Sequence, residues 1–371
     1  MFEKRDFVLT EETANNRCKS LLDAGLSLNG GSASYAYSVN FDLTFDHVDI
    51  IFNRPTSFIV DKELNDKILK ILTSGFYPYL SFYPNNGPEF VATGSKDFAT
   101  AMALRFNFKK GQFKRLEFDS LADVKMYGSK IPLMDGYAFD IKKSSGMVAL
   151  SGMSGTGKTT LALYMLACVL KGSDTFPGAE ITIIDPKLDK NLFNFAKENK
   201  LKYVSPSGNE NDYLNSVKYE LSEAIQEIEK RQRALISGEN VSFKPKILFI
   251  DEAMALTNSI TENKKIKEHL ALINRITLTG RSASVFLWLG SQAFEANTVM
   301  TSSSRDQMSL KILLSNNPTV NECRYLFKDF DPSTIVINRD WYDKGFGIAS
   351  AQPDNNIVSF MAPFIRDFER R

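Results

Sequence analysis

The sequence is poor in the residues that most often announce a chemistry. Its three cysteines, Cys18, Cys168 and Cys323, are odd in number and far apart. They make neither a disulfide framework nor a zinc knuckle, which points to a reducing compartment. Only two histidines, His47 and His269, are present, so a histidine-rich metal site is excluded. Net charge is nearly absent as well: 45 Lys and Arg oppose 44 Asp and Glu, leaving +1. Such a chain does not coat nucleic acid by bulk attraction, although a local basic groove stays open to it. No run approaches the roughly 18–20 consecutive apolar residues of a membrane span. The opening MFEKRDFVLTEE mixes both charges and lacks the apolar stretch of a secretory signal. A cytoplasmic protein is expected, recruited to the inner face of the membrane by a partner if it works there.

What remains is ordinary for a globular protein: 43% apolar and 24% charged residues, in a length of 371 that suits two or three domains. There is no internal repeat. The patterning divides near residues 120–130. Before it, Phe41, Leu43 and Phe45 alternate with Asp42, Thr44 and Asp46 within an aromatic, β-branched stretch from Tyr35 to Phe52, which predicts one or two half-buried strands. Asp61 to Thr73 carries Leu64, Ile68, Ile71 and Leu72 at helical spacing, and the cluster around Pro84, Gly87 and Pro88 reads as a loop. Residues 1–125 are thus expected as a small α+β domain. From 126 to 371 short apolar runs alternate with helical stretches: MVAL at 147–150, ITII at 181–184, ILFI at 247–250 and VFLWL at 285–289. Runs of four or five without alternation suit strands buried on both faces, and intervening helices imply a parallel α/β sheet. One such helix carries Leu214, Val217, Leu221, Ile225 and Ile228 at three- and four-residue steps.

The motif with most chemistry in it is Gly152-Met-Ser-Gly-Thr-Gly-Lys-Thr159, a complete phosphate-loop string between a buried strand and a helix. Its glycines let backbone N–H groups turn toward phosphate oxygens, and the helix N-terminus adds partial positive charge. Gly152, Ser154, Gly155, Thr156, Gly157, Lys158, Thr159 and Thr160 are the expected nucleotide-binding residues. Lys158 would reach the β- and γ-phosphates of ATP, and the Thr159 hydroxyl would ligate Mg²⁺. Next, ILFI ends in Asp251-Glu252, which sets Asp251 beside the metal and lets Glu252 polarise a water for attack on the γ-phosphate. Gln292, closing VFLWLGS, is either a γ-phosphate reporter or a polar strand cap. Arg281, just before that strand, is either a helix cap or a finger reaching a neighbouring subunit's ATP. Asp185-Pro-Lys187, after ITII, is either a turn or a charged pair on the nucleotide side.

In this order the strings SGMSGTGKTT, IIDPKLD, EIEKRQRAL, ILFIDEA, GRSASVFLWLGSQ, NECRYLF and GFGIA resemble the FtsK/SpoIIIE/HerA group of DNA-pumping ATPases, which includes conjugative coupling proteins. The resemblance runs from about Ser129 to Ser350. It implies a RecA-like P-loop motor of the kind that adds a catalytic glutamate, assembled as a hexameric ring with DNA through its centre. It also implies that Glu252, Gln292 and Arg281 serve catalysis, Arg281 in trans with Arg275 in reserve. Thr159 and Asp251 serve the metal, and Asp185 and Lys187 lie with the nucleotide. Because each composite site needs a neighbour, the isolated chain is expected as a monomer. The sequence has no membrane helix, and only a short tail follows GFGIA where some chromosome translocases carry a winged-helix module. Both features favour a plasmid, integrative-element or phage protein over a chromosome segregation motor. The expected role is the coupling ATPase of a conjugative plasmid or integrative element, working with a membrane-bound type IV secretion-channel protein and a relaxase–DNA complex. The alternatives are a secretion ATPase moving protein, a phage or plasmid DNA packaging or segregation motor, and a non-hydrolysing scaffold. Candidate DNA contacts are Lys264, Lys265 and Lys267, and the polar loop from Phe294 to Arg305. Arg105, Lys109, Lys110, Lys114 and Arg115, interleaved with Phe106, Phe108 and Phe113, read either as a single-strand platform or as an edge strand with gatekeeping lysines.

Overall fold

The alternating and helical patterns of the first third fold into a five-stranded antiparallel sheet with two helices. A computed structural model of the chain describes residues 9–26, 37–53, 60–83, 88–112, 114–206, 209–238, 242–335, 344–353 and 355–369. One compact unit comprises Met1–Phe113 with Ser333–Val336 and Asn356–Val358. The other comprises Lys114–Pro332, Ile337–Asn355 and Ser359–Arg371. Tyr35, the loop at Pro84 and Gly87, and Phe113 lie outside the described residues.

The first unit contains α1 (Glu11–Gly25), β1 (Tyr37–Asp42), β2 (His47–Phe52), α2 (Lys62–Phe76), β3 (Leu80–Phe82), β4 (Glu89–Ala92) and β5 (Met102–Lys110). Its sheet runs β1-β2-β5-β3, with β4 also paired to β5. The Phe41–Asp46 alternation does not continue as strand. Asp42 Oδ1 accepts the N–H groups of Thr44 and Phe45, each at 2.9 Å, and Asp46 turns left-handed at φ 54°, so a hairpin turn takes residues 43–46. Asp61 caps α2 by accepting the Leu64 N–H at 2.9 Å. The apolar stripe of that helix packs Ile68, Leu72 and Phe76 into a core with Phe41, Phe82 and Phe108.

This sheet and core correct both readings of the stretch around Arg105: β5 pairs with β2, β3 and β4 and so is no edge strand, and it offers no single-strand platform. On β5 the side chains of Phe106 and Phe108 are buried in the core, where no base can stack on them. Arg105 is held by Asp49 on the neighbouring strand through two bonds of 2.8 Å. The period of a strand turns Arg105 and Lys109 to the face opposite the two rings, and Lys110 lies 3.5 Å from Asp46.

The second unit opens with β6 (Glu117–Phe118) and the hairpin β7 (Lys130–Met134) and β8 (Tyr137–Asp140). Then come β9 (Val148–Gly152), α3 (Lys158–Lys171), β10 (Glu180–Ile184), α4 (Lys190–Glu198), β11 (Lys202–Val204) and α5 (Glu210–Ile236). They are followed by β12 (Lys246–Ile250), α6 (Ala253–Asn258), α7 (Asn263–Thr279), β13 (Val285–Ser291), α8 (Ser302–Asp306), β14 (Leu310–Leu314), β15 (Phe346–Ala351) and β16 (Ile357–Met361). Eight strands form one sheet in the order β11-β10-β12-β13-β9-β14-β15-β16. Pairings from β11 to β14 are parallel and β14 meets β15 antiparallel. Each predicted apolar run is a strand here, and every residue of β9 and β13 is buried. The parallel order puts the C-terminal ends of β10, β12, β13 and β9 side by side on one edge, where such sheets bind ligands. No described helix is long and apolar enough to cross a membrane.

Phe76 is fully buried, with its ring 5.1 Å from that of Phe41 and 5.9 Å from that of Phe82. Phe76→Ala is expected to cost about 3–5 kcal/mol. Urea unfolding curves of the two proteins measure this, and a loss below about 1 kcal/mol contradicts the packing described.

Candidate nucleotide site

The phosphate loop leaves the end of β9 and returns as α3. Gly155 and Gly157 have φ of 84° and 96°, in the left-handed region that favours glycine. Gly152 is closely covered: a Cβ there would lie 2.6 Å from Thr156 Oγ1 and 3.0 Å from the Leu314 carbonyl. No side chain caps α3, and its first turn holds no acidic residue. The first amides of the helix are therefore left for an anion. The loop is braced from β15's approach, where Gly345 donates its N–H to the Thr156 carbonyl at 2.9 Å. Arg115 holds that segment, donating to the Ala362 and Lys344 carbonyls at 2.7 and 3.1 Å and stacking on the rings of Phe346 and Phe364. GFGIA was legible as a string, but its bracing role was not, because it depends on a contact almost 190 residues along the chain.

Lys158 is buried, with Nζ donating to Glu252 Oε1 at 2.7 Å and to the Gly152 carbonyl at 3.4 Å. Glu252 is the second residue after β12 and sits in the left-handed region at φ 50°, ψ 51°. That backbone costs a non-glycine residue about 1–2 kcal/mol, and here it swings the carboxylate over the phosphate loop. Asp251, one residue earlier, is also buried, and its Oδ1 has no hydrogen-bond partner. The strand between β12 and β9 is β13, and Gly290 of β13 makes room: a Cβ there would stand 2.8 Å from Asp251 Oδ1. Burial pushes the Asp251 carboxyl up from 3.8 to about 7, the Lys158 charge opposes this, and Glu252, Asp185 and Asp189 add to it.

The other expected residues divide. Thr159 and Thr160 are half-buried in the first turn of α3, while Ser154 and Gly155 are exposed in the loop. Gln292 is half-buried at the end of β13, and its carbonyl accepts from Ser151 Oγ at 3.1 Å. Asp185 is fully buried with both oxygens committed. Oδ1 accepts the Lys187 N–H at 2.8 Å; Oδ2 accepts the Asp189 N–H at 2.6 Å and the Tyr203 hydroxyl at 2.7 Å. Asp185 therefore builds the turn, and the turn delivers Lys187, whose Nζ lies 3.4 Å from Glu252 Oε1. Arg281 is exposed in a short 3₁₀ turn before β13, at the opposite end of that strand from Gln292, about 20 Å away by strand geometry. It is not brought to its own chain's phosphate loop. Arg231 backs this turn, donating to the Ala283 carbonyl at 2.9 Å and to Glu227 Oε1 at 2.6 Å. Arg275 is paired with Glu229.

The candidate DNA contacts also divide. Lys264, Lys265 and Lys267 are exposed at the start of α7, with Lys265 2.5 Å from Glu262. In the 294–305 loop, Ser304 is buried and donates to Asn274 at 2.7 Å, and Arg305 is tied to the Phe294 carbonyl at 3.0 Å, so part of the loop's polarity serves the fold.

No protein-family model and no curated protein matches the chain. Among solved structures, the pCW3 conjugation coupling protein TcpA, in its monomer form with ATPγS, is 14% identical at a TM-score of 0.54, covering 96% of both chains. The cytoplasmic domain of the Thermomonospora curvata type VII secretion ATPase EccC is 18% identical at 0.44, over 64% of this chain and 29% of that one. EssC ATPases 2 and 3 from Geobacillus thermodenitrificans are 12% identical at 0.46, over 67% and 47%.

The folded chain holds the Asp251 proton more tightly than the unfolded chain, because its carboxyl moves from 3.8 up to about 7. Folding stability attributable to this group is therefore lost as pH rises through that interval. Asp251→Asn is expected to melt higher than the unaltered chain at pH 8, by up to about 4 kcal/mol, with the gap closing toward pH 4. Calorimetry across that range checks this, and a pH-independent gap contradicts it.

These observations show the fold: the second unit is a RecA-like P-loop fold, mixed α/β around a mostly parallel sheet, and the whole chain is similar in fold to that coupling protein over 96% of both chains.

Proposed function

We propose that the chain is an ATP-hydrolysing, ring-forming DNA translocase that serves as the coupling ATPase of a conjugative element. The observation that carries this reading is the division of the catalytic set across the sheet. Lys158, Asp251 and Glu252 meet at one edge, and Arg281 is presented, exposed, at the other. A cation that cannot reach its own site but is rigidly backed by Arg231 suits a site completed by a neighbour in a head-to-tail ring. The end-to-end likeness to a coupling protein supports the choice of cargo.

In this reading the α3 amides and Lys158 hold the triphosphate. Mg²⁺ fits the donors present, since Thr159 offers a hydroxyl and Asp251 a buried oxygen with no other partner. When bound, the metal neutralises charge on the β- and γ-phosphate oxygens. Glu252 accepts a proton from the attacking water, and Gln292 orients that water from the end of β13. Arg281 of the neighbouring subunit stabilises the charge on the transferring phosphoryl group. The N-terminal unit supplies docking to a membrane partner or to the processed DNA complex.

Two measurements test this. Lys158→Ala is expected to lower ATP turnover by about a thousandfold or more, and DNA is expected to stimulate the unaltered chain. Turnover surviving Lys158→Ala removes the site, and stimulation by a protein substrate but not by DNA replaces the cargo. Arg281→Ala and Glu252→Gln subunits, each strongly slowed but measurable alone, are expected to regain ATPase activity when mixed. No recovery at any mixing ratio contradicts the shared site.

A further inference from the structure

We infer that Lys187 is a positioning residue for hydrolysis, acting through Glu252 rather than on the nucleotide. This rests on the reading of Glu252 as the water-activating base. Glu252 Oε1 has two cationic neighbours: Lys158 at 2.7 Å and Lys187 at 3.4 Å. They differ in kind. Lys158 is buried and rooted in the phosphate loop, whereas the Lys187 side chain is 46% exposed on the turn after β10. A triphosphate in the loop competes for Lys158, because the same ammonium must reach the β- and γ-phosphates. Glu252 then loses its shorter ion pair while remaining 92% buried at its side chain and beside the carboxylate of Asp251. A buried carboxylate stripped of its partner is displaced or neutralised. Lys187 is the remaining described cation within 4 Å of Glu252, and its long stem lets it follow the carboxylate as Lys158 leaves.

The turn is built to hold Lys187 there. Asp185 fixes the Lys187 and Asp189 amides and is itself anchored by the Tyr203 hydroxyl. Leu188 turns left-handed at φ 58°, which reverses the chain immediately after the lysine. Asp189 then caps α4 by accepting the amides of Asn191 and Leu192 at 2.8 and 3.0 Å. The backbone is thus set from both sides while the side chain alone stays free to move. Lys187 holds Glu252 in place over the γ-phosphate once Lys158 has been drawn to the nucleotide.

The experiment compares the full-length unaltered chain with Lys187→Ala, Lys187→Arg, Glu252→Gln and the Lys187→Ala/Glu252→Gln double variant. Single-turnover hydrolysis of ATP gives the rate, and a fluorescent ATP analogue gives the dissociation constant. Lys187→Ala is expected to slow hydrolysis about tenfold or more while nucleotide affinity stays within about twofold, and Lys187→Arg to restore part of the rate. In the Glu252→Gln background, Lys187→Ala is expected to cost nothing further, because the group it positions is gone. Three results overturn the inference: unchanged hydrolysis in Lys187→Ala, an affinity loss that matches the rate loss, or a full additional loss in the double variant. An unaltered chain that is assembled into rings and binds ATP without hydrolysing it overturns the reading of Glu252 and this inference together. An active unaltered chain with an indifferent Lys187→Ala overturns this inference alone.

Discussion

Lys158 and Glu252 meet over a strand that belongs to neither of them. Lys158 begins the helix after β9, Glu252 follows β12, and β13 runs between those two strands in the sheet. The 2.7 Å contact comes with the parallel order of all three and a left-handed backbone at Glu252, and the missing side chain at Gly290 leaves room for Asp251 beside it. Each of these is a local exception, and together they place a buried cation and two buried carboxylates at the one edge where a helix N-terminus also points. The rest of the second unit holds this arrangement in place. Gly345 and Arg115 brace the phosphate loop, Asp185 shapes the neighbouring turn, and buried strands on either side keep the strand ends in register.

The site is also where the chain departs from what stability alone favours. Asp251 is buried with an unpartnered oxygen, and the Ser291 hydroxyl nearby in sequence to Gln292 is likewise unpartnered. Burying polar groups this way costs free energy that a ligand with its own charge and coordination sphere can return. A local rule broken without compensation inside the chain marks a functional position more surely than a matched string does. The first unit shows the contrast. There Arg105 pairs with Asp49 across the sheet, and Phe41, Phe76, Phe82, Phe106 and Phe108 fill a core.

Most of the second unit was legible in its sequence because buried parallel strands are short unbroken apolar runs, and MVAL, ITII, ILFI and VFLWL each became a strand. The strand at Leu310–Leu314 was not singled out, since Lys311 interrupts its apolar character; that side chain is mostly buried, and its ammonium is shifted down by burial. The phosphate loop and the Asp251-Glu252 pair were legible because their chemistry is written in consecutive residues. The roles of Asp185, Gly290, Arg115 and Gly345 were not, because each depends on which distant segment folds against it. The basic and aromatic stretch around Arg105 reads either as a platform or as an edge strand and is neither, for the opposite reason. Residue types were read as one surface, whereas a strand sends successive side chains to opposite faces.

The account makes the Lys158–Glu252 contact an exchangeable one, held by the chain and surrendered to a triphosphate. The most direct measurement is a crystal structure of the full chain with ATPγS and Mg²⁺. Lys158 Nζ is expected on the β- and γ-phosphate oxygens, away from Glu252, with Asp251 and Thr159 turned to the metal. A nucleotide bound elsewhere, or one bound in the loop with Lys158 still on Glu252 and Asp251 remote from the metal, contradicts the account.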